Sequence, residues 1–294
     1  MAPERKALLQ IHLCVVLWGF TAILGKLITL PALALVWWRM LLVAVAAALL
    51  PRFWRGLAGM DARTLAIFSG IGAVVALHWL SFYGAIKLSN ASVAATCMAV
   101  TPVLTALVEP WLTRTRFDPR DLLVGILAVP GVALVAGGTP PAMRLGLAAG
   151  LLSAVLVSVF GVLNKRYVHH GEPLTVTGVE LAAGALVLTA VGALTPGWTA
   201  LPPWPGLHDA VLLIVLALAC TLFPFWLSLI ALKHLSAFST QLAVSLEPVY
   251  AIVLAIVLLG EQHELGAAFY LGVAIILAAV FIHTVRKVRA APAA

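Results

Sequence analysis

The stretch "YGAIKLSNASVAATCMAVTP", residues 83–102, has a looser copy in "LIALKHLSAFSTQLAVSLEP", residues 229–248. Ala85, Lys87, Ala91, Pro102 and Val103 recur as Ala231, Lys233, Ala237, Pro248 and Val249, each 146 positions on. A lysine and a proline at fixed places inside two apolar runs point to an internal duplication, which constrains a fold before any single residue does. A second pair agrees with the first: "ILGK" at 23–26 against "VLNK" at 162–165.

Composition puts both copies in lipid. The chain is 63% hydrophobic and 10% charged, with a mean hydropathy of +1.10, where a soluble domain carries about a quarter charged residues. Spanning about 30 Å of hydrocarbon takes roughly 20 mostly apolar residues. Ten segments meet that test, near 9–28, 33–50, 65–84, 91–111, 120–137, 145–164, 174–195, 208–231, 237–259 and 266–284. The connections between them, such as "PRFWRGLAGMDAR" and "GGTPPAMR", are short and rich in turn residues. Arg5 and Lys6 give the first segment the look of a signal peptide. Its apolar run is too long and no small-residue cleavage site follows, so it reads as a retained helix. Cys14, Cys97 and Cys220 all fall inside apolar runs and read as packing residues, not a disulfide framework.

The distribution of charge sets orientation. Of 18 lysines and arginines, an inside N-terminus leaves only Lys26, Lys87 and Arg144 outside and Arg39 within a helix. The remaining 14 (18 less these 4) fall inside, and short loops rich in lysine and arginine stay cytoplasmic. Both termini are therefore expected in the cytoplasm. The net charge of +7 is topological and does not mark a nucleic-acid partner. Trp54, Trp111, Trp198 and Trp204 fall at helix ends, where interfacial rings belong.

Five helices per half is an odd number, so equivalent segments run in opposite directions: Lys87 is outside and Lys233 inside, Lys26 outside and Lys165 inside. The expected architecture is an all-α integral membrane protein of ten transmembrane helices in two inverted five-helix repeats, residues 1–138 and 139–294. Inverted repeats are the signature of secondary transporters, with the substrate site near the midplane.

The segments "AIKLSNASVAATCMAVTPVLTAL" and "ALKHLSAFSTQLAVSLEPVYAIVLAIVLLGE" resemble the drug/metabolite transporter superfamily, and the EamA-type exporters in particular. The resemblance covers nearly the whole chain. It rests on the A-[IL]-K turns, the mid-helix prolines and the "LLGE" that ends helix nine. It implies an inner-membrane exporter of amino acids, other small metabolites or toxic organic compounds. The first half departs from the pattern, with "LVEPWLTR" around Glu109 where a GE-like exit is usual.

Polar groups inside the membrane are costly and are functional candidates by default. Glu247 lies ten residues into helix nine, about 15 Å at about 1.5 Å per residue, near the midplane. Pro248 behind it frees a carbonyl one turn earlier. An acid there suits an amine or a proton. Thr101 and Pro102 are its counterparts in helix four, where Cys97, Thr101 and Thr105 share a face. Gln241 and Tyr250 flank Glu247 on helix nine. Trp18 and Thr21 on helix one, Phe160 and Asn164 on helix six, and His78 and Phe82 on helix three are further candidates for a cavity wall. His78 is also a candidate proton relay beside the acid. Each has a plainer alternative: packing for the rings, back-bonding for the threonines, a hydrogen-bonded core position for the histidine. Arg39 and Glu180, at equivalent places in helices two and seven, are expected to pair with each other or with Glu247, as a gate or as a fixed bridge. Glu109 is expected among headgroups, and "GLAAG" at 146–150 reads as a close-packing motif.

These readings converge on secondary-active export of small metabolites, foremost amino acids with apolar or aromatic side chains, by alternating access with possible proton coupling through Glu247 and His78. Organic cations, drugs or quaternary amines are the alternative substrates. A membrane-embedded enzyme fits less well, because Asp61, Asp118, Asp121 and Asp209 are scattered and His169–His170 alone makes no metal site. A channel fits less well with paired central prolines. No phosphate-binding loop is present, and no cofactor is expected. The expected partners are the substrate, the lipid bilayer, protons and, for a homodimer, a second copy.

Overall fold

The computed structural model describes residues 3–114, 130–195, 202–235, 243–244 and 246–290, and these contain helices and no strand. In the first half α1 is Pro3–Leu27, α2 Ala32–Ala48, α3 Pro51–Ala58, α4 Ala62–Leu88, α5 Ala91–Met98, α6 Thr101–Thr113 and α7 130–138. In the second, α8 is Arg144–Tyr167, α9 Pro173–Ala193, α10 Leu207–Ala217, α11 Phe223–Leu232, α12 Glu247–Leu254 and α13 Ala267–Ala290. Five stretches are each long and apolar enough to cross a bilayer, and two bent helix pairs raise the number to seven. Eight of the ten expected segments coincide with described helices to within a few residues. The fifth and ninth lie partly outside the described residues.

The breaks have local causes. Pro102 and Pro248 occupy the first turns of α6 and α12, where a missing N–H costs nothing because those donors have no intrahelical partner. The span α5–α6 bends by 41° just before Pro102. Between α10 and α11 the chain widens into a π turn, Leu218–Leu222, one residue before Pro224. Such a bulge absorbs the backbone mismatch that a proline imposes. The loop after α2 contains an unexpected helix: α3 turns 86° from α2, buries Phe53 against Gly178 of α9 and leaves Trp54 exposed. That is the placement of a helix lying along an interface.

Packing repeats along with the sequence. Helix α1 packs on α11 and α12, as α8 packs on α4 and α6; α2 packs on α10, as α9 packs on α4. The pair α2–α9 maps onto itself. Small residues permit the closest approaches. Gly146 and Gly150 of the "GLAAG" stretch face Ser89 and Cys97, so this motif joins α8 to the α4–α5 corner. Gly72 of α4 lies against the backbone of Glu180 in α9.

Candidate functional site

The two halves enclose a cavity of about 550 Å³, within the usual range of about 300–1,000 Å³ for small-molecule sites. Its wall is built from repeat-equivalent positions: Trp79 and Phe225, Phe82 and Ser228, Met98 and Val244, Thr101 and Glu247. Helices α1 and α8 add Trp18, Thr21, Val157 and Phe160. Phe225 is the aromatic hub. Its ring centroid lies 6.5 Å from that of Trp18, 5.5 Å from Trp79 and 5.7 Å from Phe160.

A guanidinium sits among these rings. Arg39 is buried in α2 and donates from Nε to Thr221 Oγ1 at 2.7 Å and from Nη1 to the Tyr83 hydroxyl at 2.8 Å. Its guanidinium carbon lies 3.6 Å from the Trp79 ring centroid, a cation–π contact. The π turn aims Thr221 at Arg39, while the threonine hydroxyl donates in turn to Leu216 O at 2.6 Å. Among the described residues no carboxylate lies within ion-pair distance of Arg39, although Glu247 is near enough for its charge to be felt. The expected bridge from Arg39 to Glu180 or Glu247 is therefore not formed here. Hydroxyls and rings occupy the places a carboxylate would take. Glu247 opens α12 and is partly accessible from the cavity, at a helix N-terminus where negative charge is favoured.

His78 lies on the same wall, with Nδ1 3.0 Å from Ser153 O and 2.7 Å from Ser153 Oγ, and the serine donates to His78 O at 3.0 Å. Serine thus fixes the ring. Thr101 does not bond back to its own helix: its buried hydroxyl has no partner, while its carbonyl accepts from Ser158 at 3.3 Å. Thr21 does bond back, to Trp18 O at 2.7 Å.

Other expected site residues lie elsewhere. Tyr250 is 38% exposed and off the cavity wall, because α1 packs at Gly19 against its Cβ and backbone. Pro248 is buried outside the lining, whereas Pro102 is part of it. Glu180 is buried behind the wall. Gln241 lies outside the described residues. Glu109, expected among headgroups, lines the cavity with Lys165. Phe225, Met98 and Ser228 were not singled out from sequence. The spacing of 146 that pairs Thr101 with Glu247 also pairs Trp79 with Phe225, and carrying that register across the whole of helix three would have found it.

Beyond the rings, the lining continues toward one end of the molecule, through Ile11, Glu109, Lys165 and Leu232. The opposite end is shut. Thr29 donates from its backbone N and from Oγ1 to Asp209 at 2.9 and 2.6 Å, and Lys87 donates to Ile28 O. Glu261 accepts from Ala91 N and Ser92 N at 3.0 and 2.7 Å, while Glu264 accepts from Asn90 at 2.9 Å. Glu261 is the acid of the "LLGE" stretch, and its place explains the motif: it caps the first turn of α5 from the other half of the chain.

A two-repeat helical bundle around a shared cavity is matched by known proteins. The EamA-like transporter family model matches residues 5–137 and again 144–285. The chain belongs to the EamA-like transporter family. It is a multi-pass membrane transporter of small molecules. It is 26% identical over 227 residues to the "Uncharacterized transporter YyaM" of Bacillus subtilis (strain 168), covering 74% of this chain and 73% of that protein. A solved structure described only as "Crystal structure of protein" superposes with a TM-score of 0.64 at 20% identity, covering 96% of this chain and 98% of the other, a likeness of fold alone.

Proposed function

We propose that this EamA-like transporter is a secondary-active exporter of zwitterions, foremost amino acids with apolar or aromatic side chains, in a bacterial inner membrane. The observation that carries the reading is an arginine without a carboxylate partner among the described residues and a glutamate in one aromatic enclosure. A carboxylate suits the charge of Arg39 and the donors that Thr221 and Tyr83 do not take, an ammonium group suits Glu247, and Trp18, Phe160 and Phe225 suit an apolar side chain. An organic cation is favoured less, because the Trp79 face that would receive it already carries Arg39. The bias of lysine and arginine supports cytoplasmic termini, which turns the Glu109–Lys165 end of the cavity lining to the cytoplasm. Residues 1–138 and 139–294 then rock as inverted halves about the central cavity. Glu247 holds either the substrate ammonium or a proton, with His78 assisting, so that export is linked to proton entry.

The test is counterflow in proteoliposomes with labelled tryptophan, its decarboxylated amine and its deaminated acid. The zwitterion is expected to exchange and the two truncated compounds to fail. Arg39→Gln removes charged hydrogen bonds of about 1.5–3 kcal/mol, so it lowers apparent affinity for tryptophan about ten- to hundredfold. Glu247→Gln abolishes linked proton movement. Preference for the amine over the zwitterion would replace this reading with an organic-cation carrier.

A further inference from the structure

The least satisfied polar group among the described residues is not in the cavity. Glu180, in the middle of α9, is 0% exposed, and neither of its carboxyl oxygens has a hydrogen-bond partner. The polar side chain facing it is Asn164 of α8. Asn164 is 4% exposed, its amide oxygen also lacks a partner, and it lines the cavity. A buried carboxyl therefore stands one side chain behind the cavity wall.

Charged and titratable groups on the packed elements are all turned elsewhere. Arg39 of α2 is committed to Thr221, Tyr83 and Trp79. On α4, His78 is held by Ser153, Tyr83 accepts from Arg39, Lys87 donates to Ile28 O, and Arg63 is exposed at the far end. Arg52 and Arg55 of α3 are exposed; on α8, Lys165 donates to Leu232 O and Leu235 O at 2.9 and 3.1 Å, Arg144 is exposed at the far end, Arg166 is exposed and donates to Leu112 O, and Tyr167 packs against His170. Helix α11 carries no ionisable side chain, and α9 carries no other within its own length.

An ionised carboxylate in that place would be a buried charge with no counter-ion among the described residues and only the Asn164 amide beside it, which proteins avoid by neutralising the group. The unpartnered atoms here are all acceptors, and a carboxyl proton is the donor they lack. A metal ion fits poorly. Calcium takes about 6–8 oxygen ligands, and among the described residues no three His, Cys, Asp or Glu side chains converge.

We propose that Glu180 is a proton-binding site of the transporter, separate from Glu247, screened from the cavity by Asn164 and occupied in this conformation. Discharge breaks the carboxyl O–H bond and places the proton on cavity water when the α4–α8–α9 packing shifts and Asn164 swings aside. The carboxylate left behind is then stabilised by that water until the screen closes again. The link to transport rests on the proton-coupled reading above, whereas occupancy of the site does not.

The full-length protein, reconstituted in lipid, decides occupancy by infrared difference spectroscopy of the carboxylic-acid carbonyl stretch near neutral pH. The wild type is expected to show a protonated-carboxyl band that Glu180→Gln removes and Glu247→Gln leaves in place. A band untouched by Glu180→Gln overturns the proposal, as does its bleaching by sodium at fixed pH. Glutamine is a neutral isostere of the protonated acid, so failure of that variant to fold overturns it too. The coupling arm uses tryptophan accumulation driven by a pH gradient, which Glu180→Gln is expected to lose. Retention of gradient-driven accumulation in that variant overturns a role in coupling. If the wild type moves no tryptophan, the substrate reading fails, while the infrared result still decides the site.

Discussion

An arginine inside a membrane protein must direct its donors to something, and Arg39 directs them to a hydroxyl on each side and a ring beneath. This leaves its charge unneutralised by any carboxylate among the described residues. Such a site rewards a ligand that brings the missing anion. Arg39→Lys keeps the charge but not the planar fork, so it should retain only part of the tryptophan affinity. At the membrane edge a different carboxylate does a simpler job. Asp61 caps α4 by accepting from Thr64 N at 2.6 Å, and this bond with the Thr64 hydroxyl holds the acid below the usual carboxylate range. A folded-state value below the unfolded one stabilises the protein when the acid is ionised. The contribution is complete above the ordinary aspartate pKa of about 3.9 and fades as pH falls from there through the lower folded value. The protection factor of the Thr64 amide, the slowing of its exchange relative to the unstructured chain at the same pH, is expected to fall over that window in the wild type. In Asp61→Ala it should be low already at neutral pH, and an unchanged value in that variant would remove the cap from the account.

At the scale of helices, the α4–α9 seam sets where Glu180 sits. A Cβ on Gly72 would lie well inside contact distance of the Glu180 carbonyl, whereas one on Gly70, two residues earlier, meets open space. Gly72→Ala must push α4 from α9 and is expected to cost about 1–3 kcal/mol, the range for overpacking a tight interior. Gly70→Ala should be neutral or stabilise by up to about 1 kcal/mol through helix propensity. Thermal unfolding in detergent ranks the two, and equal melting points would mean that the seam is not tight. The sequence foretells part of this level and not the rest. Proline marks the starts of α6 and α12 because its missing N–H leaves few tolerable places, so the breaks beside Thr101 and Glu247 are legible from Pro102 and Pro248. Tyr250 shows the limit. Lipid and a ring-lined cavity are both apolar surroundings, and helical periodicity alone does not tell which of them an aromatic side chain meets. The Arg39–Glu180 pair fails for a related reason. Equivalent depth in the two halves does not make neighbours of side chains that turn toward different helices, one toward α4 and the π turn, the other toward α8.

Repeat-equivalent residues line the centre of the molecule, yet among the described residues cross-half bonds close one end while the cavity lining runs on toward the other. The shut end is held by few bonds. Thr29 meets Asp209 between the halves, and Glu261 reaches from the second half to the first turn of α5 in the first. The proposed rocking of the halves requires those bonds to break in each cycle and an equivalent closure to form at the other end. Thr29 and Asp209 are suited to a trap, because their side chains are 2.6 Å apart in this state. The native thiols Cys14, Cys97 and Cys220 are free and buried, and the trap uses a background in which they are changed to alanine and exchange is retained. In that background, Thr29→Cys with Asp209→Cys, joined by a short cleavable bis-thiol linker, should hold this end closed. Tryptophan exchange is expected to stop on cross-linking and to return when the linker is cut, while either single cysteine treated alike exchanges throughout. Loss of exchange shows that opening at Thr29–Asp209 is an obligatory step, because a linker at one end leaves the cavity reachable from the other. Undiminished exchange in fully cross-linked protein would mean that substrate leaves by a path that never parts these residues, and alternation between the two ends would have to be abandoned for this chain.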